Sequence, residues 1–406
     1  MKLLLAGFDT RAVAESAARA GCSFISLDSF GDLDHALLCP VYSPHHPLPG
    51  FPVGGGSNME RLAEWGIFLA RQGAWDSLVY GSGFENRTEL LSALLEGGSR
   101  LIGNSLESIE DVRDPVALSQ ALQRDGYHAP KTYPSDGRQH DLGSSWLIKP
   151  QKSGGGRGVR LKNPGEAVPE GCICQEYIAG RQCSFTFVAD GRDAFVLGIT
   201  EQLTGTRSFN GREFGYAGSL FPLEVDEPKK VFTAAAWIAS WLTASYGLRG
   251  LNGVDFIFDG ENCWVIEVNP RYSASMELLD LAYGVSLFEF HMLASGGKWQ
   301  DVKQLVGRLP VEQTFYQPRS IWGKKVIYTR SNVRIRPLQP DQYGSEWEWA
   351  HGMHKLGLRD LPFPGEVIPA GNPVATAVAW GWCKTECLER LELTSQLMRN
   401  QLDPVD

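Results

Sequence analysis

The sequence has no Cys-x-x-Cys pair, no basic excess and no uncharged run long enough to span a bilayer, and each absence removes a class of function. Its eight cysteines are scattered over 406 residues, and a chain this long does not depend on disulfides, so they read as reduced thiols of a cytoplasmic protein. Acidic residues (47) outnumber basic ones (38) and give a formal charge of -9, which argues against binding nucleic acid through its phosphates. A local basic pocket for a small anion remains open. The apolar start, Met1 to Phe8, meets Asp9 and Arg11 at once, so it is too short for a signal peptide and reads as a first buried strand. Phe232 to Leu248 is nearly uncharged, but it is short for a span and carries Thr233, Ser240, Thr243 and Ser245. It reads as a buried helix, with no membrane partner. The first turn lacks Gly-x-Gly-x-x-Gly, and no Gly-Lys-Ser/Thr ending completes a P-loop. There is no internal repeat and no low-complexity tract.

What is present is enough apolar sequence, 43%, for a packed protein of roughly two to four domains. Lys2–Gly7 reads as a strand. Asp9 and Thr10 offer N-cap oxygens to a helix over Ala12–Ala20, and Phe24–Leu27 is a second strand, so the chain opens as a doubly wound α/β unit. Ser77–Tyr80 runs into Gly81-Ser82-Gly83-Phe84-Glu85-Asn86, a strand-end loop of the kind that carries ligand contacts in open α/β sheets; a plain polar turn explains it equally. Ser105–Gly126 is helical with a restart at Asp114-Pro115. Trp146–Lys149, Gly158–Leu161 and Cys172–Tyr177 read as strands. Cys183–Ala189 and Ala194–Thr200 form a hairpin through Asp190-Gly191. Past Gln300 come short strands, many prolines and a final helix over Thr385–Leu402.

Two stretches carry chemistry. In Val254 to Arg271, two strands flank Asp259-Gly260-Glu261-Asn262. With Asp255 opposite Glu267, Val254 faces Val268, Phe256 faces Ile266 and Phe258 faces Trp264. One face is then apolar and the other gathers Asp255, Glu267 and Asn269. Opposed carboxylates repel unless a cation joins them, and few hard oxygen ligands with room for phosphate suit Mg²⁺. Arg271, just beyond, can meet a phosphate or a substrate carboxylate. Taken alone, a solvated hairpin face accounts for these acids as well. The second stretch is Lys149 to Gly158, where Gly154, Gly155 and Gly156 let backbone N–H groups converge on phosphate and Lys149 and Arg157 add positive charge. An ordinary flexible hairpin explains the glycines equally. After it, Gln175 to Gln182 ends a strand in a turn, and Tyr177 and Ile178 are placed to line an apolar slot; taken without its neighbours, a core strand and a surface turn explain this segment better. The pair His351 and His354 beside Glu346 and Glu348 reads as a surface helix, and His45 and His46 as loop residues.

In this order the motifs resemble the ATP-grasp superfamily, whose members include D-alanine–D-alanine ligase and biotin carboxylase. The resemblance implies an ATP-grasp fold, mixed α/β and α+β. Its parts are an N-terminal α/β domain (1–104), a small lobe with a glycine-rich lid (105–180), a large lobe with the metal hairpin (181–300) and a β-rich C-terminal extension (301–406). It also implies ATP and Mg²⁺ as cofactors. Lys149 would contact the α-phosphate and adenine side, and Gly154, Gly155 and Gly156 would cover the phosphates. Glu176 and Ile178 would meet adenine through their backbones, with Tyr177 beside them. Gln182 stands where many relatives place a ribose-binding Glu. Asp255, Glu267 and Asn269 match the metal ligands, and Arg271 the catalytic arginine near the transferred phosphate. Asp114-Pro115 replaces the Asp-Lys of many relatives, and Gly253 stands where D-alanine–D-alanine ligases carry an Arg. Ile368 to Val374 is similar to the C-terminal region of carboxylate–amine ligases. The whole layout resembles tyramine–glutamate ligases of methanofuran-type cofactor synthesis. The implied activity is amide formation from a small-molecule carboxylate and an amine through an acyl phosphate. Arg207, Arg212, Tyr216, Ser273 and Ser275 are candidate substrate contacts, and a solvated loop explains each at least as well. A non-catalytic ATP-binding protein and a phosphotransferase on the same fold are the alternatives. Dimers are common in the superfamily, and no apolar stripe here compels one.

Overall fold

The computed structural model of the chain describes residues 1–47, 51, 56–135, 145–205, 213–338 and 345–405. Arg207 and Arg212 lie outside the described residues. The chain is mixed α/β, and four sheets organise it.

The first sheet is parallel and five-stranded: β1 (Leu3–Gly7), β2 (Phe24–Asp28), β3 (Val41–Tyr42), β4 (Ser77–Tyr80) and β5 (Arg100–Leu101), in the order β3-β2-β1-β4-β5. β1 and β4 are buried along their whole length, as expected of parallel strands covered on both faces. The helix Arg11–Arg19 follows β1, but Thr10 does not cap it. The Thr10 hydroxyl donates to Asp28 Oδ2 (2.8 Å) and meets Ser26 Oγ (2.8 Å), while Asp9 Oδ1 accepts from the Arg11 N–H (3.2 Å). At Asp114 the expected helix restart is a true N-cap: its carboxylate accepts from Val116 and Ala117, with Pro115 in the first turn.

A four-stranded antiparallel sheet follows, made of β6 (Thr132–Pro134), β7 (Trp146–Pro150), β8 (Arg160–Leu161) and β9 (Cys172–Glu176). The largest sheet has eight strands: β10 (Arg181–Asp190), β11 (Ala194–Thr204), β12 (Tyr216–Phe221), β13 (Arg249–Phe258), β14 (Cys263–Asn269), β15 (Ile321–Tyr328), β17 (Leu358–Arg359) and β19 (Pro373–Gly381). Their order, β14-β13-β10-β11-β12-β15-β19-β17, runs across residue 300 without a break. A three-stranded sheet of β16 (Val333–Ile335), β18 (Val367–Ile368) and β20 (Leu402–Pro404) completes the C-terminal part. The last helix therefore stops at Arg399, and Leu402 turns back as a strand beside Ile335.

One face of the large sheet is apolar at every second residue: Phe185 and Phe187 on β10, Val254, Phe256 and Phe258 on β13. Helix Pro228–Tyr246 packs on it through Val231, Ala235, Ile238, Ala239 and Leu242, and ends at Gly247 in the left-handed conformation. Trp237, on the opposite side of this helix, is exposed. No helix of the described residues is long and apolar enough to cross a membrane.

Two buried polar assemblies join the sheets. Arg11, 1% exposed, pairs with Glu15 (3.2 Å), Asp360 (2.7 Å) and Glu277, and Lys324 pairs with Glu277 (2.6 Å). Asp360 has φ 55°, and Asp34 fixes that strained turn by accepting from the N–H groups of Asp360 (3.0 Å) and Leu361 (2.8 Å). In the second assembly, His291 Nδ1 accepts from the Leu251 N–H (3.0 Å), so Nε2 carries the hydrogen toward Ile102 O (3.3 Å). Burial pushes the His291 pKa down from 6.5 to about 4. Gly250 (φ +69°) makes room for the ring; a Cβ there would lie 2.5 Å from Nδ1.

Between pH 6.5 and 4 the unfolded chain binds a proton that folded His291 refuses, so this contribution is full above pH 6.5 and is lost as pH falls toward 4. The fall in denaturation midpoint from pH 7 to 4.5 is expected to be smaller in His291→Gln than in the wild type; equal slopes would refute this assignment. Gly250→Ala is expected to cost about 2 kcal/mol or more in the same measurement, from the left-handed backbone and overpacking together.

Candidate functional site

The β13–β14 turn is set by Asp259, whose Oδ1 accepts from the N–H groups of Glu261 (2.8 Å) and Asn262 (2.7 Å), with Gly260 at φ +103°. From there the strands pair so that Asp255 lies opposite Glu267 and Val254 opposite Val268. A bulge then intervenes. Phe256 faces Val265 and Phe258 faces Cys263, where simple alternation gives Ile266 and Trp264. The bulge sends Val265 and Cys263 into the core and leaves Ile257 and Ile266 on the cavity side. A one-residue slip would turn Phe256 and Phe258 out of the core, at about 1.5–3 kcal/mol each, so the acid pair is fixed by burial on the other face.

Asp255, Glu267, Asn269, Lys149, Arg271, Gly154, Gly155, Gly156, Glu176, Tyr177, Ile178 and Gln182 all line one cavity of about 320 Å³. Tyr216, Ser273 and Ser275 line it too. Asp255 accepts from the side-chain amides of Gln202 (2.8 Å) and Asn269 (3.1 Å). Burial, and then the charge of Glu267, push the Asp255 carboxyl up to about 6. Burial acts the same way on Glu267, but Arg113 and Lys149 outweigh it and hold that carboxyl below its ordinary value. Burial lowers the Lys149 pKa, and the two acids pull it part of the way back. Lys149 Nζ donates to Gln175 Oε1 (3.0 Å).

The loop after β4 holds the arginines. Glu85 Oε1 accepts from Arg271 Nε (2.8 Å) and forms an ion pair with Nη2 (2.5 Å), and Arg271 Nη2 also donates to Asn269 Oδ1 (3.3 Å). Asn86 Oδ1 accepts from Arg113 Nη2 (2.7 Å), and Arg113 Nη1 pairs with Glu267 and donates to the carbonyl of Val268 (3.1 Å). Tyr80 (2.5 Å) and Asn104 (2.8 Å) both donate to the carbonyl of Pro270, so the chain carrying Arg271 is anchored on the first sheet. Local sequence reading does not find Arg113, Glu85, Asn86 and Gln202. Only the strand-end position of Gly81–Asn86 hinted at part of this set.

The glycine loop is docked. The Tyr216 N–H donates to the carbonyl of Gly155 (3.1 Å), Asn86 Nδ2 reaches the carbonyl of Ser153 (3.4 Å), and a Cβ on Gly156 (φ +72°) would fall 1.8 Å from the carbonyl oxygen of Phe214. Leu147, Val159, Ile178, Ile257 and Ile266 give the cavity an apolar end suited to a flat ring. The backbone N–H groups of Glu176 and Tyr177 are taken by the carbonyls of Lys131 (2.8 Å) and Ser145 (2.9 Å), so neither is free for a purine edge. Among the described residues, no three His, Cys, Asp or Glu side chains gather for a metal. A cation here would rest on two carboxylates, the Asn269 amide oxygen and oxygens of its ligand. That hard-oxygen set fits Mg²⁺, and the burial and then the Glu267 charge that raise Asp255 are costs such an ion relieves. His351 and His354 lie on the helix Glu346–Lys355, and His354 faces Glu15 (3.3 Å), away from this cavity's lining.

Residues 112–275 match the family model for the ATP-grasp domain. The chain is 24% identical over 316 residues to the carbamoyl phosphate synthase large chain of Campylobacter jejuni, covering 73% of this chain and 27% of that one. The corresponding large chain of Clostridium acetobutylicum is also 24% identical, over 55% of this chain and 22% of that one. This chain thus spans about a quarter of the length of those relatives. An uncharacterized protein of Methanocaldococcus jannaschii is 22% identical over 93% of this chain and 88% of its own. Among solved structures, the biotin carboxylase domain dimer of Hydrogenobacter thermophilus 2-oxoglutarate carboxylase, with MgADP, ADP and bicarbonate, has TM-score 0.68 at 17% identity, covering all of this chain and 90% of that one. The L-amino acid ligase of Bacillus licheniformis has TM-score 0.62 at 16% identity, covering 100% and 98%. At these identities the structural likeness speaks for the fold.

Gly156→Ala cannot keep the loop docked on Phe214 and Tyr216. Nucleotide affinity measured by calorimetry is expected to fall tenfold or more. Gly154→Ala, with open space around its Cβ, is expected to cost less; the reverse order would refute the docked-loop reading.

Proposed function

We propose, from the match of residues 112–275 to the ATP-grasp domain, that the chain is an ATP-grasp enzyme: an ATP-dependent carboxylate–amine ligase that forms an amide through an acyl phosphate. The observation that carries this reading is the gathering of an opposed acid pair, a half-buried lysine, an arginine and a docked glycine loop around one cavity with apolar residues in its lining. The likeness to the carbamoyl phosphate synthase large chain supports carbon–nitrogen chemistry at a general level.

A carboxylate is a poor acyl donor because oxide leaves badly. In the proposed reaction a substrate carboxylate oxygen attacks the terminal phosphorus of ATP, and the bond to ADP breaks. The amine nitrogen then attacks the acyl carbon, and phosphate leaves with the bonding pair. In the proposed arrangement, Lys149 and Arg271 offset charge on the transferred group, and Gly154–Gly156 cover it against water. Asp255, Glu267 and Asn269 would hold Mg²⁺, which when bound draws phosphate oxygens together and neutralises them. Ile178, Tyr177, Glu176 and Gln182 would meet the base and ribose, with Glu176 acting through groups other than its N–H.

For the substrates, we take glutamate as the acid and an aromatic amine or amino acid as the acceptor, in methanofuran-type cofactor synthesis, as the first pair to test. The resemblance of the whole layout motivates it. The eight cysteines are free thiols, which supports a reducing, cytoplasmic setting. A homodimer is included in the proposal because one structural neighbour is described as a dimer.

The test is ADP release that requires both a carboxylate and an amine, with phosphate recovered free. Phosphate recovered on the product would instead indicate a phosphotransferase, and ATP binding without release a non-catalytic protein. Asp255→Asn and Glu267→Gln are each expected to lose at least 100-fold in turnover and to shift the Mg²⁺ requirement upward; full rate in either would overturn the metal assignment.

A further inference from the structure

The lining of the cavity also includes Ser273, Ser275, Lys324, Ser82 and Asp9; Lys324 reaches the carbonyl of Ala274 (3.2 Å), and Phe8, next to Asp9, donates its N–H to the carbonyl of Ser82 (2.6 Å). Charge is distributed unevenly there. Lys324 Nζ is already committed to Glu277 (2.6 Å) and the carbonyl of Ala274 (3.2 Å). The Arg11 guanidinium, two residues from Asp9, is engaged by Glu15, Glu277 and Asp360. Asp9 itself is exposed and lines the cavity. Its only hydrogen bond among the described residues is the one Oδ1 accepts from the Arg11 N–H (3.2 Å). Among the described residues no cation pairs with it and nothing bonds its second oxygen. An unpaired carboxylate in the lining of a cavity, where the neighbouring Arg11 and Lys324 are spoken for, offers a place for a positively charged group, and an amine enters at neutral pH as an ammonium ion.

We infer that Asp9 binds the amine substrate as its ammonium ion and takes the proton that must leave before nitrogen can attack. This rests on the ligase reading above and deepens it. The ammonium gives one proton to the free oxygen of Asp9. The nitrogen lone pair then forms the C–N bond, the acyl carbon–oxygen bond breaks toward phosphate, and the second proton goes to the departing phosphate as hydrogen phosphate. Positioning and proton transfer by such a group contribute about 10²- to 10⁴-fold. The surroundings suit a base working near neutrality. Crowding by protein, then Asp360 and Asp28, push the Asp9 carboxyl up to about 7, against the pull of Arg11 and Lys324; Asp32 faces the same group.

The test compares two acceptors with ATP, Mg²⁺ and L-glutamate. Tyramine is cationic at neutral pH and needs a base; hydroxylamine is uncharged and does not. In Asp9→Asn, tyramine-dependent ADP release is expected to fall at least 100-fold, and the acidic limb of the wild-type pH–rate profile near pH 7 to disappear. Hydroxamate formation is expected to stay within about threefold of wild type. Asp9→Glu is expected to recover part of the tyramine rate, which a merely structural role would not allow. Equal losses with both acceptors, or a tyramine rate and pH profile unchanged in Asp9→Asn, would overturn the inference. Wild-type protein that forms no hydroxamate with glutamate or a panel of other carboxylates would bring down the ligase reading itself, and this inference with it.

Discussion

Two carboxylates placed across a strand pair are costly unless something positive stands near, and most of the site is arranged around that cost. Asp255 and Glu267 face each other because the other side of their hairpin must be apolar, so the burial of Val254, Phe256 and Phe258 dictates a charged face. Arg113 and Lys149 offset Glu267, Gln202 and Asn269 donate to Asp255, and Arg271 is held within reach by Glu85. The arginines answer to the N-terminal sheet, through Glu85, Asn86, Tyr80 and Asn104. Charge at the hairpin and the packing of the first sheet against it are therefore one problem with one solution.

The elements were legible wherever a local pattern fixes them. Ser77–Tyr80 is a short apolar run with a turn behind it; Asp190-Gly191 joins two alternating strands; Asp114-Pro115 is a cap followed by a proline. The hairpin register was legible at Asp255 and failed beyond it, because a bulge answers to how the sheet meets the next layer and leaves no trace in alternation. Residues now lining the cavity were mostly visible as types in order. Their partners were not. Arg113 meets Glu267 across 154 residues of chain and Arg271 meets Glu85 across 186, and no periodicity reaches that far. Thr10 shows the same limit: its hydroxyl suits a cap, but Asp28 and Ser26, brought alongside by the sheet, bind it more directly.

The Arg11 cluster unites three distant stretches of sequence: the first helix, the segment at Glu277, and the C-terminal turn at Asp360. Buried ion pairs of this kind repay little in stability by themselves, since desolvation offsets attraction. Breaking one side, however, strands a charge in the interior. The arrangement therefore fixes relative position more than it adds strength, and it fixes the part of the cavity wall to which Lys324 belongs.

The long sheet has a bearing on where the molecule can be cut. β15 pairs with β12 from Gly218 to Phe221, and β19 continues beyond it, so the C-terminal quarter completes the ladder that begins with the acid hairpin. Ending the polypeptide near residue 300 would strip β12 of its neighbour and leave a row of bare amides and carbonyls, a sticky border that recruits strands from other molecules. The final hundred residues act as the selvedge of the fabric: they keep the weave holding the hairpin from fraying into aggregates.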